Sequence, residues 1–118
     1  MPSDQIFHIC KREEWSRAEC DDIYPGSSQD QADGFIHFSG PEEVVESVAK
    51  HHAGQDGLVL ISVDAALLGD DLRWEPSRGG VLFPHLYADL PLTAVVKTWD
   101  LPIGPAGRHQ FPDQFRDA

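Results

Sequence analysis

The segment Leu58-Val59-Leu60-Ile61-Ser62-Val63 constrains the fold more than any other part of this chain. An unbroken Leu-Val-Leu-Ile run without polar alternation is what a central strand buried on both faces requires. The chain is therefore organised around a sheet that has apolar cover on either side.

The rest of the pattern supplies that cover. Gln5 to Cys10 is short and rich in Ile and Phe, and predicts a strand. Lys11 to Cys20 predicts a helix with Trp15 and Ala18 facing inward. Asp21 to Asp33, with Pro25-Gly26-Ser27-Ser28, reads as a loop too polar to build core. Gly34 to Phe38 predicts a second strand. Ser39 then has the character of an N-cap, with Pro41 early in the helix and Glu42 and Glu43 at its positive end. This helix is expected to run to about Ala53, with Val44, Val45 and Val48 as its apolar stripe and Gly54 as its stop. Ala65 to Gly69 suits a single helical turn, and Leu72 to Glu75 a short extended segment. Pro76 to Gly80 reads as a loop and Val81 to Phe83 as extended. Leu92 to Leu101 holds the last strand, centred on Ala94-Val95-Val96, and from Pro102 the chain reads as an irregular tail. Strands and helices mix without a regular βαβ rhythm. The expected class is α+β, with small mixed or antiparallel sheets and two main helices, in a single domain whose core spans about residues 5 to 101.

With 118 residues and 41% hydrophobic content, the chain suits one folded domain with one core. Nine basic residues stand against 20 acidic ones, for a net charge of -11. That balance argues against nucleic-acid and membrane binding, both of which draw on Lys and Arg to neutralise phosphate. It leaves room for a local basic pocket holding one anionic ligand. Cys10 and Cys20 form neither a CxxC pair nor a zinc-finger spacing, and Cys10 reads as a buried thiol. The start Met1-Pro2-Ser3-Asp4 is polar and no apolar run approaches transmembrane length, so the expected location is cytoplasmic.

Three histidines interrupt apolar segments: Ile6-Phe7-His8-Ile9-Cys10, Gly34-Phe35-Ile36-His37-Phe38-Ser39 and Phe83-Pro84-His85-Leu86-Tyr87. Each ring must find a hydrogen-bond partner or remain unsatisfied at a cost. A neutral imidazole can be satisfied by one backbone carbonyl, and any one of the three has that simple reading. Three together point to a shared site. Strand alternation puts His8 on the face of Ile6 and Cys10, and His37 on the face of Phe35 and Ser39.

Trp74-Glu75-Pro76 sets a carboxylate beside a large ring at the end of an extended segment. Desolvated there, Glu75 would have a raised pKa and serve as general acid or base; exposed, it is an ordinary surface residue. Arg78, between Ser77 and Gly79-Gly80, can hold a phosphate, helped by the glycine amides. Tyr87 can stack on a base or sugar. His51, His52 and His109 carry no assigned role, and Trp15 and Trp99 read as core.

These segments carry a resemblance. Ile6-Phe7-His8-Ile9, Trp15 with Ala18, Tyr24, Gly34 to Ser39, Leu58 to Ile61, Leu72-Arg73-Trp74-Glu75 and Phe83 to Tyr87 occur in the order seen in the domain-of-unknown-function 952 family. The match covers about residues 5 to 101 and is specific. That family in turn resembles, more remotely, the ADP-ribosyltransferase fold, whose members hold NAD in a cleft between two small sheets. By this resemblance His8 takes the first site position, contacting a ribose, and His37 with Ser39 takes the second, beside nicotinamide. The third, which stabilises charge developing on the ribose, has two candidates, Glu75 and His85. Arg73 or Arg78 would hold the pyrophosphate.

The resemblance thus implies an enzyme acting on NAD or an ADP-ribosyl group, with a nucleotide-like small molecule as ligand. Two other readings stand beside it. One is a non-catalytic small-ligand or protein-interaction module using the same cleft. The other is a zinc or iron site made by the three histidines and a carboxylate, for which no HxH or HExxH spacing is present.

Overall fold

In the computed structural model, which describes residues 5–41, 43–76, 80–104 and 107–111, the apolar run forms β4 (Leu58–Asp64) at the centre of the molecule. It lies between β1 (Gln5–Lys11) and β8 (Val95–Leu101) in a three-stranded antiparallel sheet. Every residue from Leu58 to Val63 is buried. Both faces of β4 are covered, as the absence of alternation demands.

One face presents Ile6, Cys10, Val59, Ile61 and Val63 to a core completed by Trp15 and Ala18 of α1 (Arg12–Asp21). The other presents Phe7, Leu58, Leu60 and Leu101 to Val44 and Val48 of α3 (Val44–His51), and to Phe111. Each fully buried Leu, Ile or Phe contributes roughly 1.5–3 kcal/mol relative to an exposed one.

A second three-stranded sheet, also antiparallel, has the order β3 (Ile36–His37), β6 (Leu82–Leu86), β5 (Leu72–Pro76). Its inner face gives Ile36, Phe38 and Leu86 to the first core. Backbone bonds of 2.8 Å in each direction between Phe7 and Ser39 join the two sheets. The fold is α+β with small antiparallel sheets, as the mixed pattern implies. The space between the two sheets is filled mainly by apolar side chains, with the His8 ring buried among them.

Three segments differ from expectation. Asp21 to Asp33 is structured: β2 (Ile23–Tyr24) pairs with β7 (Leu90–Pro91), α2 (Ser28–Asp33) follows, and Tyr24 and Asp30 are buried. Its polar residues satisfy one another, through a capping box in which Ser27 and Asp30 bond each other's backbone amide. Ser39 does not cap a helix, because its backbone is committed to Phe7. The Gly40 carbonyl instead takes the amides of Glu43 and Val44, so α3 begins at Val44 and ends at His51. Of the expected stripe, Val44 and Val48 are buried and Val45 is exposed; Glu42 lies outside the described residues. The last strand starts at Val95 after a 3-10 turn at Leu92–Ala94, and it runs on to Leu101. Beyond it, Ile103 bridges His109 and Phe111 packs onto the core, so the described part of the tail is docked. Among the described residues no helix is long and apolar enough to cross a membrane.

Candidate functional site

The outer face of the second sheet carries most of the chemistry. Cross-strand register sets His37 opposite His85 and His85 opposite Arg73. Alternation adds Phe35 beside His37, Tyr87 beside His85 and Glu75 beside Arg73. The rings are in contact: Phe35 stacks on His85 with centroids 4.2 Å apart, and lies 4.6 Å from His37 and 5.1 Å from Tyr87. His37 and His85 meet edge to face at 5.6 Å.

Glu75 organises one half of this face. Its Oε1 accepts hydrogen bonds from Tyr87 Oη at 2.6 Å and from His85 Nδ1 at 2.8 Å. The Tyr87 bond, followed by that of His85, lowers the Glu75 pKa, and the same bond to the carboxylate raises that of Tyr87. The expectation of a raised pKa for Glu75 is therefore corrected: the side chain stays partly exposed, and its donors favour the carboxylate more than desolvation opposes it. With Nδ1 donating to Glu75, a neutral His85 presents the lone pair of Nε2. The Arg73 guanidinium lies 5.1 Å from the centre of the Tyr87 ring.

Asp30 organises the other half, from below. Its side chain is only 4% exposed. Its Oδ2 accepts from the Ser27 amide at 2.8 Å and the Ser27 hydroxyl at 3.0 Å. Its Oδ1 accepts from the His37 amide at 3.2 Å and from His37 Nδ1 at 2.6 Å. Burial alone would raise the Asp30 pKa. The His37 hydrogen bond, the nearby His8 ring and the backbone amides outweigh it and bring the pKa down to about 2. The Asp30 hydrogen bond in turn raises the pKa of His37 against the opposing effect of burial, with further help from Asp33. Asp33 Oδ2 lies 3.2 Å from His37 Nε2.

His8 is not part of this face. It is 4% exposed and points into the core between the sheets, because its side of β1 is the Ile6 and Cys10 side. Its Nδ1 donates to the His37 carbonyl at 2.6 Å, and its Nε2 accepts from Tyr24 Oη at 2.8 Å. Burial lowers its pKa, which keeps the ring neutral and this tautomer in place. His8 therefore holds the backbone of His37 from behind, and the expected convergence of three imidazoles reduces to two. Among the described residues no three His, Cys, Asp or Glu side chains are grouped to hold a metal ion. Ser39 shares the His37 face by alternation, yet its side chain makes no hydrogen bond to a described residue. Arg78 lies outside the described residues, as do Ser77 and Gly79.

Beside Phe35 and Tyr87 the face opens into a groove of about 250 Å³, lined also by Pro25, Gly34, Ala88 and Asp89. Cys10 is a buried free thiol, as expected, and burial pushes its pKa up to about 12.

A protein family described as "Protein of unknown function (DUF952)" matches residues 9–98, a span that contains His37, Arg73, Glu75, His85 and Tyr87. The chain belongs to this family. Its fold is also that of protein CC0527 from Caulobacter crescentus. The crystal structure of that protein is 44% identical, covers 94% of this chain and 97% of its own, and superposes with a TM-score of 0.89. The solution structure of CC0527 is 45% identical over 91% of this chain and 92% of its own, with a TM-score of 0.81. No curated protein matches the chain.

For this family member, reading the sequence assigned no role to Asp30 and Asp33, and left Phe35, set on the His37 face, and Tyr24, part of the resemblance, without a part in the site. One signal was available for Asp30: a Ser27-x-x-Asp30 spacing ahead of Gly34 is a capping box, which predicts a short helix. Nothing local foretold that the capping carboxylate would also take His37.

Proposed function

We propose that the outer face of the second sheet binds a nucleotide-derived small molecule, NAD or an ADP-ribosyl compound, and that Glu75 and His85 act on it there. The observation that carries this reading is the convergence of Arg73, Glu75, His85, Tyr87, Phe35 and His37 on one solvent-facing surface. The resemblance to the ADP-ribosyltransferase fold supplies the ligand class, and it is a remote resemblance.

The chemistry follows from the donors and acceptors present. Phe35 and Tyr87, with the groove beside them, offer aromatic surface to a base or nicotinamide ring. Arg73 offers a guanidinium to a phosphate. In ADP-ribosyl transfer the C1′–N bond to nicotinamide breaks and its electron pair leaves with nicotinamide. Positive charge then develops on the ribose, and the Glu75 carboxylate stabilises it. A hydroxyl-bearing acceptor or water forms the new bond at C1′, and its proton passes to His85 Nε2. His8 takes no part in contact with the ligand; it positions His37.

A non-catalytic ligand-binding module is the second reading. Its support is that the face is open, with Tyr87 and Arg73 exposed, so water is not excluded from the reacting centre.

Calorimetric titration with NAD and with ADP-ribose tests the proposal, followed by assay of nicotinamide release. Binding that weakens in Arg73→Ala and Tyr87→Ala, with release abolished in Glu75→Gln, is the expected result. Binding without release selects the module, and no binding at millimolar ligand removes both nucleotide readings.

A further inference from the structure

We infer that His37 Nε2 is a subsite for a ligand oxyanion, a carboxylate or phosphoryl oxygen, and that Asp33 occupies it in the free protein as a displaceable stand-in. This deepens the reading of the outer face as a ligand site and rests on it.

The two nitrogens of His37 are held differently. Nδ1 donates to Asp30, which is buried, fixed by Ser27 and only 2.6 Å away. Nε2 faces Asp33 Oδ2 at 3.2 Å, an ion pair when the ring is protonated, and the contact is not among the hydrogen bonds His37 makes. The His37 side chain is 42% exposed and that of Asp33 37%, so both partners of this second contact reach water, whereas in the first the Asp30 carboxylate is only 4% exposed. Exposed ion pairs are worth about 0–1 kcal/mol, so exchanging one anion for another there costs little. Breaking a buried pair costs several-fold more, so Asp30 remains in place when Asp33 leaves.

Asp33 has another support that lets it move without loss of structure. Gln29 Nε2 donates to both of its oxygens at 3.1 Å, and Asp33 is the last residue of α2. Asp30, not Asp33, holds the turn that follows, through amide bonds from Gly34 and Phe35 to its carbonyl. Asp33 therefore contributes charge at His37 and little to the fold. When the His37 ring is protonated, Asp33 seated there makes a net acidic cluster with Asp30 and repels a second anion. An oxyanion with a stronger, better aligned approach displaces it and gains a charge-assisted bond from Nε2–H. Asp33 thus sets a threshold: weak anions are refused, and a ligand anchored elsewhere on the face by Arg73 and the aromatic rings is admitted.

Inorganic phosphate is the probe, titrated and followed by NMR through the backbone amide resonances of the outer face, and through the His37 ring where it is present. In Asp33→Asn, phosphate is expected to bind about fivefold more tightly than to wild type, the factor that removing an exposed ion pair of about 1 kcal/mol implies. The shift should centre on His37 and vanish in Asp33→Asn/His37→Gln. Glu46→Gln removes the same charge from α3, across the central sheet, and should leave phosphate affinity unchanged. Unchanged or weaker binding in Asp33→Asn overturns the inference, as does a gain that survives loss of His37 or is matched by Glu46→Gln. If phosphate binds Asp33→Asn at His37 while NAD and ADP-ribose bind neither protein, the nucleotide reading falls and the oxyanion subsite stands.

Discussion

Replacing Asp30 by Asn keeps the shape of the side chain and removes its charge. Asp30 uses both oxygens, one toward Ser27 and one toward His37, in a site with almost no access to water. Asn supplies one acceptor oxygen and puts an NH2 where the other oxygen stood. Whichever way the amide turns, its donors face either the Ser27 donors or the His37 donors. A hydrogen bond to a charged group contributes about 1.5–3 kcal/mol. The pKa gives an independent figure: a fall from 3.8 to about 2 corresponds to on the order of 2 kcal/mol. Both figures describe the same interactions and are not added. The expected loss in Asp30→Asn is about 2–3 kcal/mol at neutral pH. The sign with pH follows from a carboxyl whose folded pKa is depressed. Its contribution is complete above the unfolded value near 3.8 and disappears as the pH falls through about 2. Urea denaturation, read by the fluorescence of buried Trp15 across this range, measures it. The gap between wild type and variant should be full at pH 7 and should close toward pH 2. A variant as stable as wild type at pH 7, or a gap that stays open in acid, refutes the account of Asp30 as the buried anchor of His37.

The two histidines of this network should titrate apart. The His37 ring should protonate above the ordinary 6.5 and His8 below it, so the stability from His37 is present below 6.5 and lost as pH rises through its folded pKa, while that from His8 is present above 6.5 and lost in acid; NMR of the ring protons checks this, and a His8 ring titrating at 6.5 contradicts its burial. Tyr24→Phe leaves His8 Nε2 without its donor and should cost about 1–3 kcal/mol in denaturation midpoint analysis. Gly26 has φ +97° and a Cβ there would come 2.8 Å from the Asp30 Cβ, so Gly26→Ala should destabilise by about 2 kcal/mol or more; an unchanged melting midpoint counts against the tight turn. A thiol reagent should label Cys20 quickly and leave Cys10 unreacted until the protein unfolds.

Much of the frame could be read directly. The Leu58 to Val63 run dictates a strand covered on both sides, since no alternation leaves no face for water. Trp15 and Ala18 lie three apart on one helical face, and both are buried. Alternation also set His37 on the face of Phe35. These inferences depend on the chain's own geometry over a few residues, which is why they survive into the fold.

What alternation could not supply was which side of each strand meets solvent. His8 and His37 both stand among aromatics, yet one ring is sealed between two sheets and the other stands on an outer surface. That difference is made by the pairing of Phe7 with Ser39 and by the elements packed on either side, all distant in sequence. The same holds for Asp30. A carboxylate in a polar stretch looks solvated until Ser27 and His37 are brought round it, and only then is burial repaid by hydrogen bonds. The chain's own pattern thus determined strands, helices and which residues share a face. Tertiary packing decided which face became core and which became the site, because desolvation and pairing depend on neighbours that local sequence does not contain.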